Sequence, residues 1–191
     1  NPSGPAPDGF LTWSQILSGN DTIVGTAGND DRSLVGVNGG NDLFNMGAGD
    51  DWVLGGIGND TINGGLGWDG LDYSDTSWGG QGNSAFRGIS INMATGIAID
   101  PWGGTDRFSG IEEVYGSRYN DSFVGSAGRD LFVGLRGNDT FNGAADQDTV
   151  DYSRDRTFGG QKGIVVDLET SIVNGNIHGV IRDGFGNTDR T

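Results

Sequence analysis

The amino-acid sequence predicts an all-β solenoid, in which very short strands stack in parallel and glycine-rich turns join them. Three observations predict it. Asp42, Asp51, Asp60 and Asp69 stand nine residues apart, as do Asp121, Asp130, Asp139 and Asp148, and Asp21 and Asp30 extend the first series backwards with a slip of three residues before Asp42. Two positions after most of them comes an apolar residue: Ile23, Phe44, Val53, Ile62, Leu71, Phe123, Phe132, Phe141 and Val150. Two positions before them stands Gly, at Gly19, Gly28, Gly40, Gly49, Gly58, Gly67, Gly128 and Gly137. A short period shared by ten registers marks a repeat architecture.

The unit Gly55-Gly56-Ile57-Gly58-Asn59-Asp60-Thr61-Ile62-Asn63 divides into a turn and a strand. Its first six residues suit a tight turn, because Gly supplies positive φ and close backbone approach, and Asn and Asp tolerate the same region. Its last three suit a minimal strand with one side chain pointing inward. Such a unit is too short for a hairpin sheet. It fits a coil whose strands stack on their counterparts two repeats earlier, forming two parallel sheets. Gly every few residues excludes helix, at a cost of about 1 kcal/mol each.

Composition says what holds such a coil. Of 191 residues 38 are Gly, and Ile, Val, Leu and Phe together supply only 44, a poor store of apolar surface against chain entropy. The formal charge is −15, with 23 Asp against three Glu (Glu112, Glu113, Glu169), and Asp favours turns and compact oxygen-ligand sites. Bound cations are the remedy for the repulsion. A phosphate backbone rewards a basic face, so nucleic acid is not the expected partner. No apolar run reaches a membrane span. With no Cys, disulfides and thiol catalysis are excluded.

The units GGIGNDTIN, GAGDDWVLG and GLRGNDTFN resemble the RTX nonapeptide of the haemolysin-type calcium-binding proteins, over roughly residues 19–74 and 116–153. The resemblance implies a right-handed parallel β-roll, or β-helix solenoid, with Ca²⁺ held between neighbouring turns on each edge. It implies as ligands the sixth-position residues Asp21, Asp30, Asp42, Asp51, Asp60, Asp69, Asp121, Asp130, Asp139 and Asp148. It adds backbone carbonyls of the glycine turns at Gly47, Gly49, Gly56, Gly58, Gly65, Gly67, Gly128 and Gly137. Ca²⁺ prefers six to eight hard oxygens, which short Gly turns and Asp together offer.

Alternation of turns between two edges pairs Asp21 with Asp42, Asp30 with Asp51, Asp42 with Asp60, Asp51 with Asp69, Asp121 with Asp139 and Asp130 with Asp148. Asp42 and Asp51 then serve two ions each, one carboxylate oxygen apiece. About six ions would reduce the charge to about −3. The sites of Asp42/Asp60 and Asp51/Asp69 have the most regular turns. The turn before Asp21 lacks its leading glycines, Arg32 stands where an apolar residue belongs with Leu34 as its replacement, and Tyr119 and Asp146 replace Gly. Sites using those turns are expected to be weak or empty.

Five segments follow: a lead-in and cap (1–18), a first array (19–74), an intervening strand segment of the same solenoid (75–115), a second array (116–153), and the start of a further long repeat (154–191). Asp69-Gly-Leu-Asp-Tyr-Ser74 recurs as Asp148-Thr-Val-Asp-Tyr-Ser153, so a period of 79 is superimposed on the period of nine. Gly88–Gly96 and Gly163–Thr170 alternate like half-buried strands, expected as wider coils with longer loops. Gly104-Thr105-Asp106-Arg107-Phe108 recurs as Asn187-Thr188-Asp189-Arg190-Thr191, from which the chain is expected to continue into further repeats.

Other chemistry is weakly supported. Gly65-x-Gly67-x-x-Gly70 lacks the long strand and helix that a dinucleotide site requires. His178 is the single His, too few for a His-based zinc site, and the adjacent Glu112 and Glu113 do not face one another as glycosidase carboxylates must. No catalytic set emerges, so no enzyme activity is expected. Trp13 is read as an end cap, and Trp52 and Trp68 as packing against the intervening segment rather than stacking on sugars. Asp100 and Asp106 are a minor candidate for an extra ion. The expected function is that of a calcium-binding structural or adhesin module of a secreted or cell-surface bacterial protein, with contact to cells or carbohydrate made through the parent protein. The alternative is a folding and type I export module of a secreted hydrolase or epimerase whose catalytic domain lies elsewhere.

Overall fold

The structure, a computed structural model, describes residues 19–30, 39–74, 86–163, 165–173 and 176–190. The lead-in with Trp13, the turn before Gly19 and the Arg32/Leu34 replacement lie outside the described residues. Among the described residues there is no helix, and none is therefore long and apolar enough to cross a membrane. The chain forms an all-β parallel roll with two walls.

One wall begins with β1 (Thr22–Val24), β2 (Leu43–Ala48) and β4 (Thr61–Leu66), the other with β3 (Trp52–Val53) and β5 (Gly70–Asp72). From β2 to β5 successive strands therefore alternate walls. Phe44 lies beside Ile62 in one wall and Val53 beside Leu71 in the other, each pair two nonapeptides apart and parallel. Ile23 instead pairs with Phe44, so the slip of three residues is absorbed without loss of register. The second array repeats the scheme with β10 (Ser122–Val124) and β12 (Thr140–Asn142) against β11 (Leu131–Val133) and β13 (Thr149–Val150). The central residue of each strand points inward. Phe44, Val53, Ile62, Leu71, Val114, Phe123, Phe132 and Phe141 belong to one continuous core. Phe123 stacks on Phe141 with ring centroids 4.9 Å apart.

The intervening segment joins the same roll, but not as wider coils. β6 (Ser90–Asn92), β7 (Ile97–Ile99) and β8 (Thr105–Ser109) form an antiparallel meander inside the first wall, pairing Ile91 with Ala98 and Ala98 with Asp106. Loop length is the reason: residues 93–96 and 100–104 are too few for the dozen-residue crossover that parallel strands need, and hairpins are what remains. Gly96, at φ 62°, closes the first loop, where a Cβ would strike the Phe108 carbonyl. β8 stacks parallel on β4, and β6 parallel on β10, so the meander splices the two arrays. On the opposite wall β9 (Glu113–Tyr115) lies directly between β5 and β11. β14 (Val165–Val173), β15 (Asn176–Arg182) and β16 (Thr188–Arg190) repeat the meander, with β16 stacked on β12.

Outside the second wall lies a smaller cluster of Tyr115, Val133 and Leu135. Trp52 packs on it, edge-on to Tyr115 at 4.8 Å between centroids. The Trp68 indole N–H donates to Glu113 Oε2 at 3.1 Å.

Candidate metal centre

The turns stack along both edges, and stacking brings the repeated Asp residues into ladders. In each of the six pairs Oδ1 of the later Asp accepts the main-chain N–H of the Asp one coil earlier on its edge. On one edge Asp21 N–H donates to Asp42 at 2.7 Å and Asp42 N–H to Asp60 at 2.8 Å. On the other Asp30 N–H donates to Asp51 at 2.7 Å and Asp51 N–H to Asp69 at 2.9 Å. In the second array Asp121 is linked to Asp139 and Asp130 to Asp148 in the same way, at 2.9 and 3.0 Å. All six sequence-derived pairs are thus neighbours in a ladder.

The ladders extend to residues that the nine-residue count does not reach. Asp60 N–H donates to Asp106 Oδ1 at 2.9 Å, Asp69 N–H to Glu112 Oε2 at 3.0 Å, and Asp139 N–H to Asp189 Oδ1 at 2.8 Å. A local signal existed for Asp106: Gly104 stands two before it and Phe108 two after. Glu112 has the same flanks, Gly110 two before it and Val114 two after, but as a Glu, one methylene longer, it lies outside a count of Asp. The Asn residues before the Asp form a parallel ladder, as where Asn59 N–H donates to Asn41 Oδ1 at 2.8 Å. This engages Asn-Asp-Thr sequences in turn stacking.

The other carboxylate oxygen is the chemical anomaly. Oδ2 of Asp21, Asp42, Asp51, Asp60, Asp69, Asp100 and Asp139, and Oδ1 of Asp155, are buried with no hydrogen-bond partner. Native folds leave few such groups, and a carboxylate oxygen without a donor or a cation is costly. With Oδ1 engaged in the ladder, Oδ2 is the oxygen left free, instead of one oxygen for each of two ions as the spacing suggested.

Burial also resists charge. It pushes Asp60 up to about 7, with Asp106 and Asp42 adding repulsion against donation from the Asp42 N–H. Burial likewise raises Asp69 to about 6, Asp121 to about 7 and Asp139 to about 9. A divalent ion would reverse this by making the charged form the favoured one.

Among the described residues no three His, Asp or Glu side chains gather at one point, so side chains alone do not complete a coordination sphere. The turns offer carbonyls at close quarters. A Cβ on Gly58 would strike the Gly40 carbonyl, one on Gly65 the Gly47 carbonyl, and one on Gly67 the Gly49 carbonyl. Bare Cα atoms thus let carbonyl-bearing turns stack. Of the sequence-derived glycines, Gly47, Gly49, Gly56, Gly58, Gly65, Gly67 and Gly137 have positive φ, whereas Gly128 does not. Hard oxygens, paired acids and flexible spacing suit Ca²⁺.

The family model of the RTX calcium-binding nonapeptide repeat, in four copies, matches residues 17–31, 37–71 and 115–150. No curated protein matches the chain. The ten Asp residues of the nine-residue spacing and the glycine turns before them fall within the matched segments, which span somewhat under half of the chain, and over those segments the chain carries the RTX calcium-binding nonapeptide repeat.

Proposed function

We propose that this chain is a structural module of a secreted or cell-surface bacterial protein, folding as it binds Ca²⁺ outside the cell. Its ligands are the paired Asp residues and turn carbonyls described above, and about six ions are the expected complement. The role is mechanical or adhesive, not catalytic. Supporting this reading above all are the buried, unpartnered carboxylate oxygens of Asp42, Asp51, Asp60, Asp69 and Asp139, which a metal-free roll leaves uncompensated. Ion binding then becomes folding free energy. A chain that is loose where calcium is scarce and sets where it is abundant suits passage through a narrow export channel.

Circular dichroism of the 191-residue chain tests the folding part. Millimolar Ca²⁺ added to a chelated sample is expected to produce a sharp gain of β signal. Identical spectra in chelator and in calcium would defeat the reading.

A further inference from the structure

The turns do not share one conformation. In those ending at Asp51, Asp60 and Asp69 the second residue has positive φ: 105° at Gly47, 84° at Gly56 and 111° at Gly65. The turns ending at Asp139 and Asp148 hold the same shape without glycine, with φ of 64° at Leu135 and 71° at Ala144. Non-glycine residues in that region indicate a conformation imposed by the stack. In the turns ending at Asp30, Asp121 and Asp130 neither the second nor the fourth residue has positive φ, although Gly28 and Gly128 at the fourth position could adopt it.

These three turns share a hydroxyl at the second position: Thr26, Ser117 and Ser126. The main-chain N–H of each donates to Oδ2 of its own turn's Asp, at 2.7, 2.8 and 2.6 Å. Each hydroxyl oxygen accepts the N–H of the fourth residue, at 3.1, 3.0 and 3.0 Å. The Ser117 and Ser126 hydroxyls also donate to Oδ1 of Asp121 and Asp130, at 2.8 and 3.0 Å. Side-chain hydroxyls close such local turns readily. The carboxylate is satisfied inside its own turn, and its Oδ2 is the oxygen that stands free at Asp51, Asp60, Asp69 and Asp139.

We infer that the second turn residue decides which turns offer their carboxylate to Ca²⁺. Ser or Thr closes the carboxylate on its own turn, and a residue in the left-handed region leaves Oδ2 open to the ion. The inference rests on the calcium-binding reading and deepens it. It removes Asp30, Asp121 and Asp130 as full ligands and leaves Asp42/Asp60 and Asp51/Asp69 as pairs with both Oδ2 atoms free. It also orders the roll: Thr26 lies in the opening of the first array and Ser117 and Ser126 in the opening of the second. The second array thus begins with two turns that hold their shape without metal, and the first has one such turn, that of Asp30, directly after its opening Asp21; the metal-dependent turns stack on these.

Calorimetric Ca²⁺ titration of the full chain and its variants, with circular dichroism in chelator, tests this. Ser117→Gly/Ser126→Gly is expected to bind more ions per chain than the parent and to need more Ca²⁺ for full β signal. Gly56→Ser is expected to lose bound Ca²⁺, while Gly56→Ala, which adds the same Cβ without a hydroxyl, keeps the parental ion count at weaker affinity. A parental ion count in the double variant would overturn the inference. Should that variant fail to fold, the Gly56 pair decides, and equal loss of Ca²⁺ in both members would overturn it. A parent chain that takes up no Ca²⁺ refutes the calcium reading itself; a parent that binds Ca²⁺ and ignores these exchanges refutes only the role of the second residue.

Discussion

The Tyr73 hydroxyl donates to Oδ2 of Asp106 at 2.9 Å, and 79 residues further on the Tyr152 hydroxyl donates to Oδ2 of Asp189 at the same distance. Each Asp tops a ladder with its Oδ1 taken by the N–H of the preceding Asp. The tyrosine occupies the oxygen that stands free lower in the ladder, so each array ends in a phenol donor where its interior turns leave that oxygen without a donor. Burial together with the Asp106 charge pushes the Tyr73 phenol well above its ordinary value, so it remains a donor.

Tyr73→Phe therefore strands a buried carboxylate oxygen. Leaving such a group unsatisfied costs about 1–3 kcal/mol, more where it is charged. Urea unfolding in saturating Ca²⁺ should show that loss. Tyr152→Phe should cost less, because the Tyr152–Asp189 bond is only partly buried.

Two glycines at equivalent turn positions should respond differently to a methyl group. A Cβ on Gly58 runs into the Gly40 carbonyl, whereas on Gly128 its nearest neighbour is the Ser126 hydroxyl oxygen at 3.7 Å. Gly58→Ala is expected to destabilise by about 3 kcal/mol, and Gly128→Ala by less than about 0.5 kcal/mol. Thermal unfolding of the two variants in Ca²⁺ measures the contrast.

Asp69→Asn keeps an acceptor for the Asp51 N–H while replacing the free charged oxygen. Ligand charge count tunes Ca²⁺ affinity, and loss of about 1.4 kcal/mol is a tenfold weakening. We expect about tenfold weaker binding at the Asp51/Asp69 site, together with a smaller β-signal loss in chelator because one buried charge is gone. Calorimetry and circular dichroism on the same sample read both effects.

Proton binding should oppose calcium. Burial raises Asp60, Asp106 and Asp121 from 3.8 to about 7, so the metal-free folded state holds protons that the unfolded chain has released. Its stability is therefore highest near pH 4 and falls as pH rises towards 7, with Asp139 extending the fall to about 9. Ca²⁺ at the free oxygens of Asp60 and Asp139 displaces their protons, so its apparent affinity should rise over that range with proton release on binding. Chelated samples melting at a constant temperature between pH 4.5 and 7.5 would contradict this account.

The two walls and the Asp ladder were legible in the sequence, because both follow from strictly local spacing. An Asp at the sixth position, a strand centred two residues later and glycines before it place Phe44 on Ile62 and Asp42 below Asp60 with no reference to the rest of the chain. The resemblance carried by the same residues pointed to calcium. Tertiary structure decided what spacing does not encode. The meander of residues 90–109 runs antiparallel because its two loops are short, and only stacking brings Asp106 and Glu112 onto the ladders across gaps of 46 and 43 residues. It also decided which carboxylate oxygens are free. That depends on the direction in which each turn's N–H groups point, set by φ at the second turn residue and the hydroxyl it carries, and a pattern of residue types shows the hydroxyl but not the bond it makes.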